Sequence, residues 1–533
     1  MVRQQEVKLG VEVRKPTTRS KVVETYWIEE PYVKIVIAEE PDGQLLYYVD
    51  EVELEKHEVG RYNKVIEFLE RELNPRKIST RQDVKEAIEE AISSVMKRYG
   101  SKLHLNDVTR EKMSYFLRRN LLGFGPIDPI VRDPHIEDLS CNGVGIPLYV
   151  WHREYDSIPV NIRFLDKEAL DSVIINLSHK AEKHISSAYP IVDGMLYGRD
   201  RIAATFREEV TPKGSTFTIR KFRAEPYSIV DLIRSGALNA ETAAYFWAML
   251  ENRMSLTVIG GTAAGKTTLL NALACLIQPG LKVVTVEETP ELNLPHENWV
   301  QLVSRSGYGM GSSRVGEIGL FDLVKVSLRY RPDYLVVGEI RGEEAYVLFQ
   351  ALATGHGGMS TLHAENVDYA IKRLTSKPMD IAPAYLPLMN IVCLVQRVYL
   401  PLKTRFERRL RMAWEIASAD DIVPIVMWDP ASDTHRVELD RSHLLHELSV
   451  KLGLNRSYLI NDVYEKAKLL TEWDNRNIRS VPEVAQEVRA YYIRRRGRTA
   501  AEAIVTPVVE IEREDEQVQP SEEQPISKGG FWR

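Results

Sequence analysis

Residues 256–268 read LTVIGGTAAGKTT and carry the side chains that phosphate chemistry needs, at the spacing it needs. An apolar run, Leu256, Thr257, Val258 and Ile259, stops at Gly260. Gly260, Gly265, Lys266 and Thr267 then fit G-x-x-x-x-G-K-[ST], and a helix-like run follows, giving strand, loop and helix in that order. Glycine lets the backbone wrap tightly. The N–H groups of Gly260, Gly261, Thr262, Ala263, Ala264, Gly265, Lys266, Thr267 and Thr268 are therefore expected to turn toward phosphate oxygens. The helix start adds free donors and a favourable dipole. Lys266 is expected to reach the β- and γ-phosphates, and the Thr267 hydroxyl to ligate Mg²⁺. The bare pattern arises by chance in roughly one chain in fifty of this length. The correct flanks make an ATP site the expectation.

Four further sets of residues carry candidate chemistry. The apolar strand starting at Lys282 ends in Glu287, Glu288 and Glu291. Hydrolysis needs a group that orients or deprotonates the attacking water, and a carboxylate at such a strand end can do so. Glu291 is the first choice, and the bland alternative is an acidic strand cap. A second strand, DYLVVGEIR, holds the continuous apolar run Tyr334, Leu335, Val336, Val337 of a central parallel strand and ends at Gly338-Glu339. A carboxylate there can hold Mg²⁺ through water, although Gly stands where Asp is more usual. Arg329 and Arg331 lie just upstream. The segment ATGHGGMSTLHAEN carries His356 and His363. Without a clear third ligand, sensing of the γ-phosphate is the better reading than metal binding, beside the alternative of satisfied loop histidines. Arg199, Arg201, Arg220 and Lys221 sit on edge-like strands, where the planar arginine fork suits phosphate. Most strand arginines are merely solvated, so these matter only if they reach a nucleotide.

The elements that must position these residues are spread over 533 residues, enough for three or four domains. The chain is 44% hydrophobic and 27% charged, with net charge −6, as a soluble globular protein is. That balance lacks the basic footprint of a motor that tracks nucleic acid, so no nucleic-acid partner is expected. Cys141, Cys275 and Cys393 are far apart, which predicts neither a disulfide framework nor a cysteine zinc site. The N-terminus is too polar for a signal peptide, and apolar runs such as residues 391–395 fall short of a membrane span. Any membrane role is expected to run through a partner.

Residues 1–20 are charged and are expected to be poorly ordered. Residues 26–54 read as a hairpin turning at Pro41-Asp42-Gly43. Helices are expected over 62–73, 81–99 and 109–121, and a boundary at 123–134. An α/β segment then holds a strand at 148–151, a helix at 167–181 and strand pairs at 201–206 and 216–222. After the nucleotide domain come strands at 410–416 and 425–428 and helices at 442–452, 459–473 and 481–492. From residue 510 the composition predicts disorder.

Taken together, the loop at Gly260, the acidic box VEETPEL, the LRYRPDYLVVGEIR strand and the histidine box resemble the secretion ATPase superfamily of type II and type IV systems. The resemblance extends through GFGPIDPIVRDPHIEDLSCNG and IAATFREEVTPKGSTFTIRKF. PLYVWHREY, HENW and RPDYLVVGEIRGEEAYVLFQALATGH resemble the archaeal branch, which serves type IV pili, the archaellum and related secretion machines. The resemblance implies an α/β chain with a RecA-like ATPase domain (226–400) preceded by a PAS-like domain (123–225). An N-terminal partner-binding region (1–122), a C-terminal extension (401–509) and a disordered acidic tail (510–533) complete it. It implies a homo-hexamer with ATP and Mg²⁺ between the two domains, lying in the cytoplasm against the inner face of the membrane through a polytopic platform protein, without inserting. It also implies that Arg201 and Arg220 approach the phosphates, that Glu291 polarises water, and that Glu339, His356 and His363 fill the metal and histidine-box roles. Departures are Glu287-Glu288 in place of Glu-Asp, the missing four-cysteine zinc module, and the Gly-rich segment 305–319, which favours a pilus or secretion branch over the archaellum. The expected function is a Mg²⁺-dependent motor for a pilus-like filament or secretion. The alternatives are an archaellum ATPase, a non-cycling nucleotide-binding regulator and a nucleic-acid translocase.

Overall fold

The computed structural model describes residues 10–15, 19–72, 81–223, 225–305, 316–401, 403 and 405–497. The acidic tail and the centre of the Gly-rich segment, residues 306–315, lie outside the described residues.

Ten of the described strands share the first sheet: β1 (Val11–Val13), β2 (Lys21–Glu29), β3 (Val33–Glu39), β4 (Leu45–Glu51), β5 (Ile136–Cys141), β6 (Pro147–His152), β7 (Asp156–Phe164), β8 (Ile191–Met195), β9 (Arg201–Thr205) and β10 (Thr216–Arg220). Their order is β2-β3-β4-β7-β6-β5-β10-β9-β8, with β1 also on β7. The β3–β4 hairpin turns where Pro41-Asp42-Gly43 predicts, with Glu39 opposite Leu45. Residues 11–13, for which charge predicted little order, form β1 because Val11 and Val13 are buried against β7. The helix expected from residue 62 spans Lys56–Glu72. Gly60 reads as a helix breaker in sequence, but the Glu58 carboxylate accepts the Glu55 N–H and starts the helix ahead of it.

The second sheet holds β11 (Leu256–Gly260), β12 (Val283–Glu287), β13 (Trp299–Val303), β14 (Tyr334–Val337), β15 (Gly357–His363), β16 (Ile391–Leu400), β17 (Arg405–Ile416), β18 (Ile422–Asp429) and β19 (Thr434–Val437). Its order is β13-β12-β14-β15-β11-β16-β17-β18-β19; the first six are parallel and the last three antiparallel. This is a RecA-like α/β arrangement. The continuous apolar runs follow from burial on both faces. Tyr334 and Val336 enter one core, while Leu335 and Val337 enter the other. The helix Ala240–Glu251 packs on the first of these cores with the C-terminal helices His443–Leu452, Arg456–Asn475 and Val481–Gly497. Parallel strands bring their C-terminal ends to one edge, where open α/β sheets bind ligands. Among the described residues, no helix is long and apolar enough to cross a membrane.

Candidate nucleotide site

At the end of β11 the chain turns at Gly260, where a Cβ would lie 2.3 Å from the Val395 carbonyl oxygen. Only glycine lets β16 pass this close. The loop ends at Gly265, which precedes the helix Lys266–Ala274 in a left-handed conformation. Thr267 therefore sits in the first turn, beside the helix's free N–H groups. Lys266 is 8% exposed, and its Nζ donates to the Gly261 carbonyl oxygen at 2.8 Å. Burial lowers its pKa, against the opposing pull of Glu339 and Glu291. Both carboxylates therefore lie within electrostatic reach of the lysine.

His363 ends β15, which runs parallel to β11 with His363 opposite Gly260. Its Nε2 lies 3.3 Å from Lys266 Nζ and 3.6 Å from Glu339 Oε1. Burial first, and Lys266 next, push the imidazole below its ordinary range. The ring thus stands between a cation and a carboxylate. The Arg373 guanidinium donates to the His363 carbonyl oxygen and fixes this end of the strand.

Glu339 follows β14 and Gly338. A Cβ at Gly338 would lie 3.2 Å from Glu287 Cγ, so the neighbouring strand end explains glycine where Asp is more usual. Glu287, 1% exposed, accepts the N–H groups of Glu291 and Leu292, each at 2.8 Å, and the Gln301 amide at 2.8 Å. Asn271, on the helix after the phosphate loop, accepts the Asn293 N–H at 2.9 Å. The loop carrying the exposed Glu291 is thus pinned from both sides. Glu344 does the same for the loop after Glu339, accepting the N–H groups of Arg341 and Gly342 at 2.6 and 2.7 Å. Glu288 turns outward to Arg341.

The first sheet presents Arg201 and Arg220 as register partners on β9 and β10. Like charges directly opposite are unfavourable. Asp193 takes the Arg201 fork at 3.1 and 2.7 Å, and Asp138 takes Arg220 at 3.1 Å. The charged form of Arg201 is favoured first by Asp193 and, at longer range, by Glu288 and Glu291. Arg201 therefore lies within electrostatic reach of the acidic box of the other sheet.

The structure brings together Lys266, His363 and Glu339 at the phosphate loop, with Glu291 within electrostatic reach of Lys266 and Arg201 within reach of Glu291. His356 is not among them. It precedes β15, at the sheet edge opposite the loop, and its Nδ1 lies 3.0 Å from the Ala351 carbonyl oxygen and from Thr354 Oγ1. An extended strand advances about 3.3 Å per residue, so the two histidines lie roughly 20 Å apart. Sequence reasoning did not single out Glu344 or Arg373. It read Glu287 as a possible catalytic group, whereas the structure makes it the clamp of the Glu291 loop.

A family model described as type II/IV secretion system protein matches residues 146–419, which spans the loop, both carboxylate segments and the histidine box. The chain belongs to the type II/IV secretion system protein family. Within this family's relatives, an uncharacterized protein of Methanocaldococcus jannaschii, MJ0900, is 34% identical over 482 residues, covering 85% of this chain and 86% of that protein. A putative conjugal transfer protein of Mycobacterium tuberculosis, Rv3659c, is 34% identical over 258 residues, 47% of this chain and 71% of that one. Among solved structures, the ATPase DotB of Legionella pneumophila aligns with TM-score 0.39 and 16% identity, over 64% of this chain and 88% of that chain.

Proposed function

We propose that this chain is a Mg²⁺-dependent ATP hydrolase that turns cleavage of the β–γ bond into movement between its two sheets. It works as a homo-hexamer that drives assembly of a type IV pilus-like filament, or secretion, across an archaeal membrane. The observation that carries this reading is the convergence of Lys266, His363 and Glu339 at the end of β11, with 3.3 and 3.6 Å separations. Family membership and the archaeal relative MJ0900 support the motor role and the branch.

The loop N–H groups and Lys266 hold the β- and γ-phosphates. Glu291, held by Glu287 through its backbone, orients the attacking water. Arg201 offsets charge that develops in the transition state, where electrostatic stabilisation counts most. Arg220 completes the arginine row. His363, rather than His356, senses the γ-phosphate. The donor set fits a hard cation: a threonine hydroxyl in the first helical turn and the half-exposed Glu339 carboxylate beside His363. Thr267 and Glu339 would hold Mg²⁺, which supplies neutralising charge for the phosphates. Residues 123–225 and 226–400 act as the two moving domains. Residues 1–122 and 401–509 flank them, and a polytopic platform protein holds the ring at the cytoplasmic face.

Steady-state phosphate release tests the reading. The intact chain with ATP and Mg²⁺ is expected to turn over, and Lys266→Ala to lose roughly a hundredfold or more in kcat/KM. Equal rates for the two proteins would end the assignment.

A further inference from the structure

We propose that Arg408 is a positioning residue that ties the phosphate loop to the first sheet, on the reading that this cleft hydrolyses ATP. Arg408 lies on β17, in a segment that the sequence placed outside the nucleotide domain. Its Nε donates to the Ala263 carbonyl oxygen of the loop at 3.2 Å, and its Nη2 donates to Glu137 Oε2 on β5 at 3.3 Å. Its stem lies along the loop, with Cδ 3.0 Å from where a side chain on Gly265 would begin. Side chains alternate along a strand. Arg409 therefore points the other way, fully buried in a paired contact with Asp433 at 2.7 and 2.9 Å. The two adjacent arginines do different work.

The far end of the tie is the strand that anchors the arginine row. Glu137 precedes Asp138, the partner of Arg220, and its carbonyl oxygen accepts the Lys221 N–H at 2.8 Å. Glu137 also answers more than one cation. Burial disfavours the charged form of Arg153, the proximity of Arg223 adds to this, and Glu137 opposes it. Among the described residues, Arg153 Nε and Arg223 Nη1 are buried without a hydrogen-bond partner. Glu137 is thus the carboxylate at a junction rich in guanidinium. Through Arg408, the position of the phosphate loop is set against the strand that holds Arg220. Movement between the sheets must stretch this link, so Arg408 couples the loop to that movement without touching the phosphates.

The test uses the full chain with Arg408→Gln, Arg408→Lys, the near-isosteric Glu137→Gln, and the Arg408→Gln/Glu137→Gln pair. Each single loss of the tie is expected to lower kcat roughly tenfold, as displaced catalytic groups do. Affinity for a fluorescent ATP analogue is expected to stay within about threefold, because no phosphate contact is lost. Arg408→Lys is expected to recover part of the loss, and the double variant to be no slower than the slower single one. Hydrogen exchange supplies a readout that needs no turnover: in Glu137→Gln, a peptide spanning residues 258–268 is expected to exchange faster. Unchanged exchange there, or kcat effects that multiply in the double variant, would overturn the tie. Failure of the ATPase reading has a different signature, a wild-type chain with no turnover in which the exchange effect is nonetheless present.

Discussion

The buried carboxylate of Glu287 accepts the backbone N–H of Glu291 at 2.8 Å. One acidic residue thereby sets the position of another. Burial pushes the Glu287 carboxyl up to about 7, against the lowering effect of its hydrogen bonds to Gln301, Leu292 and Glu291. A carboxyl raised in the folded state binds its proton more tightly there than in the unfolded chain. The stability it contributes is complete below its ordinary value of 4.5 and is lost as pH rises through about 7. The loss is on the order of 3 kcal/mol, about 2.5 units at 1.36 kcal/mol each. Denaturant unfolding at pH 5 and pH 8 should show this component in the wild type and its absence in Glu287→Gln. The same pH slope in both proteins would remove Glu287 as its source.

Glu339 and His363 give a second, spectroscopic prediction. The carboxylate lies 3.6 Å from the ring and favours its protonated form, while burial, Lys266 and Arg373 oppose protonation. Glu339→Gln removes the single favourable contribution among these. The His363 pKa should fall further below its ordinary range, as followed by NMR titration of the ring. Turnover should fall roughly a hundredfold in the same variant, with the nucleotide still bound. A Gln variant with wild-type kcat would exclude Glu339 from the metal role.

Much of this site was legible because its determinants are local. Gly260, Gly265 and Lys266 act through the backbone they sit in, so their spacing alone carries the geometry. The strands ending at Glu287 and Glu339 were legible from unbroken apolar runs, since both faces are buried. What stayed hidden depends on contacts between distant segments. Nothing near Glu287 in sequence says that its carboxylate turns inward to hold Glu291 rather than outward to water. Arg408 reaches Ala263 across 145 residues. The two histidines were grouped because they share a Gly-rich stretch. Reading residues 357–363 as a strand separates them, but this strand is buried on both faces and carries no alternation to signal it. Strand β8 was missed because Ile191 and Met195 are exposed on a short edge, where periodicity is weak.

Gly260→Ala should be poorly tolerated, while Gly261→Ala should leave the fold almost unchanged. A methyl group on Gly260 meets the Val395 carbonyl oxygen at 2.3 Å, and that oxygen belongs to β16, next to β11 in the sheet. Neither strand can move away cheaply. A methyl group on Gly261 meets nothing within 4 Å. The expected cost at Gly260 is about 2–4 kcal/mol, against less than about 1 kcal/mol at Gly261. Chemical denaturation of the two variants measures the difference, and equal stabilities would contradict the close approach of β16.

The arginine row separates catalysis from stability. Arg201 and Arg220 are partners across β9 and β10, and the charged form of Arg201 is favoured by Asp193 first and by Glu288 and Glu291 at longer range. Its side chain is 39% exposed and its Asp193 partner 55%, so the pair contributes roughly 0–1 kcal/mol to folding. Arg201→Ala should therefore unfold at nearly the wild-type denaturant concentration. Turnover should respond differently if, as proposed, Arg201 offsets the charge that the transferring phosphoryl group gains. Loss of such a group costs roughly a hundredfold or more in kcat. Arg201→Lys should recover little, since a point charge cannot both hold Asp193 through two bonds and face the cleft. Arg220→Ala should cost less than Arg201→Ala in the isolated subunit, on the proposal that Arg201 is the one within reach of the acidic box. Steady-state kcat/KM for the three variants, measured beside their unfolding curves, decides the ranking. A larger loss for Arg220→Ala would transfer the catalytic role to that residue and require the first sheet to turn its β10 end into the cleft.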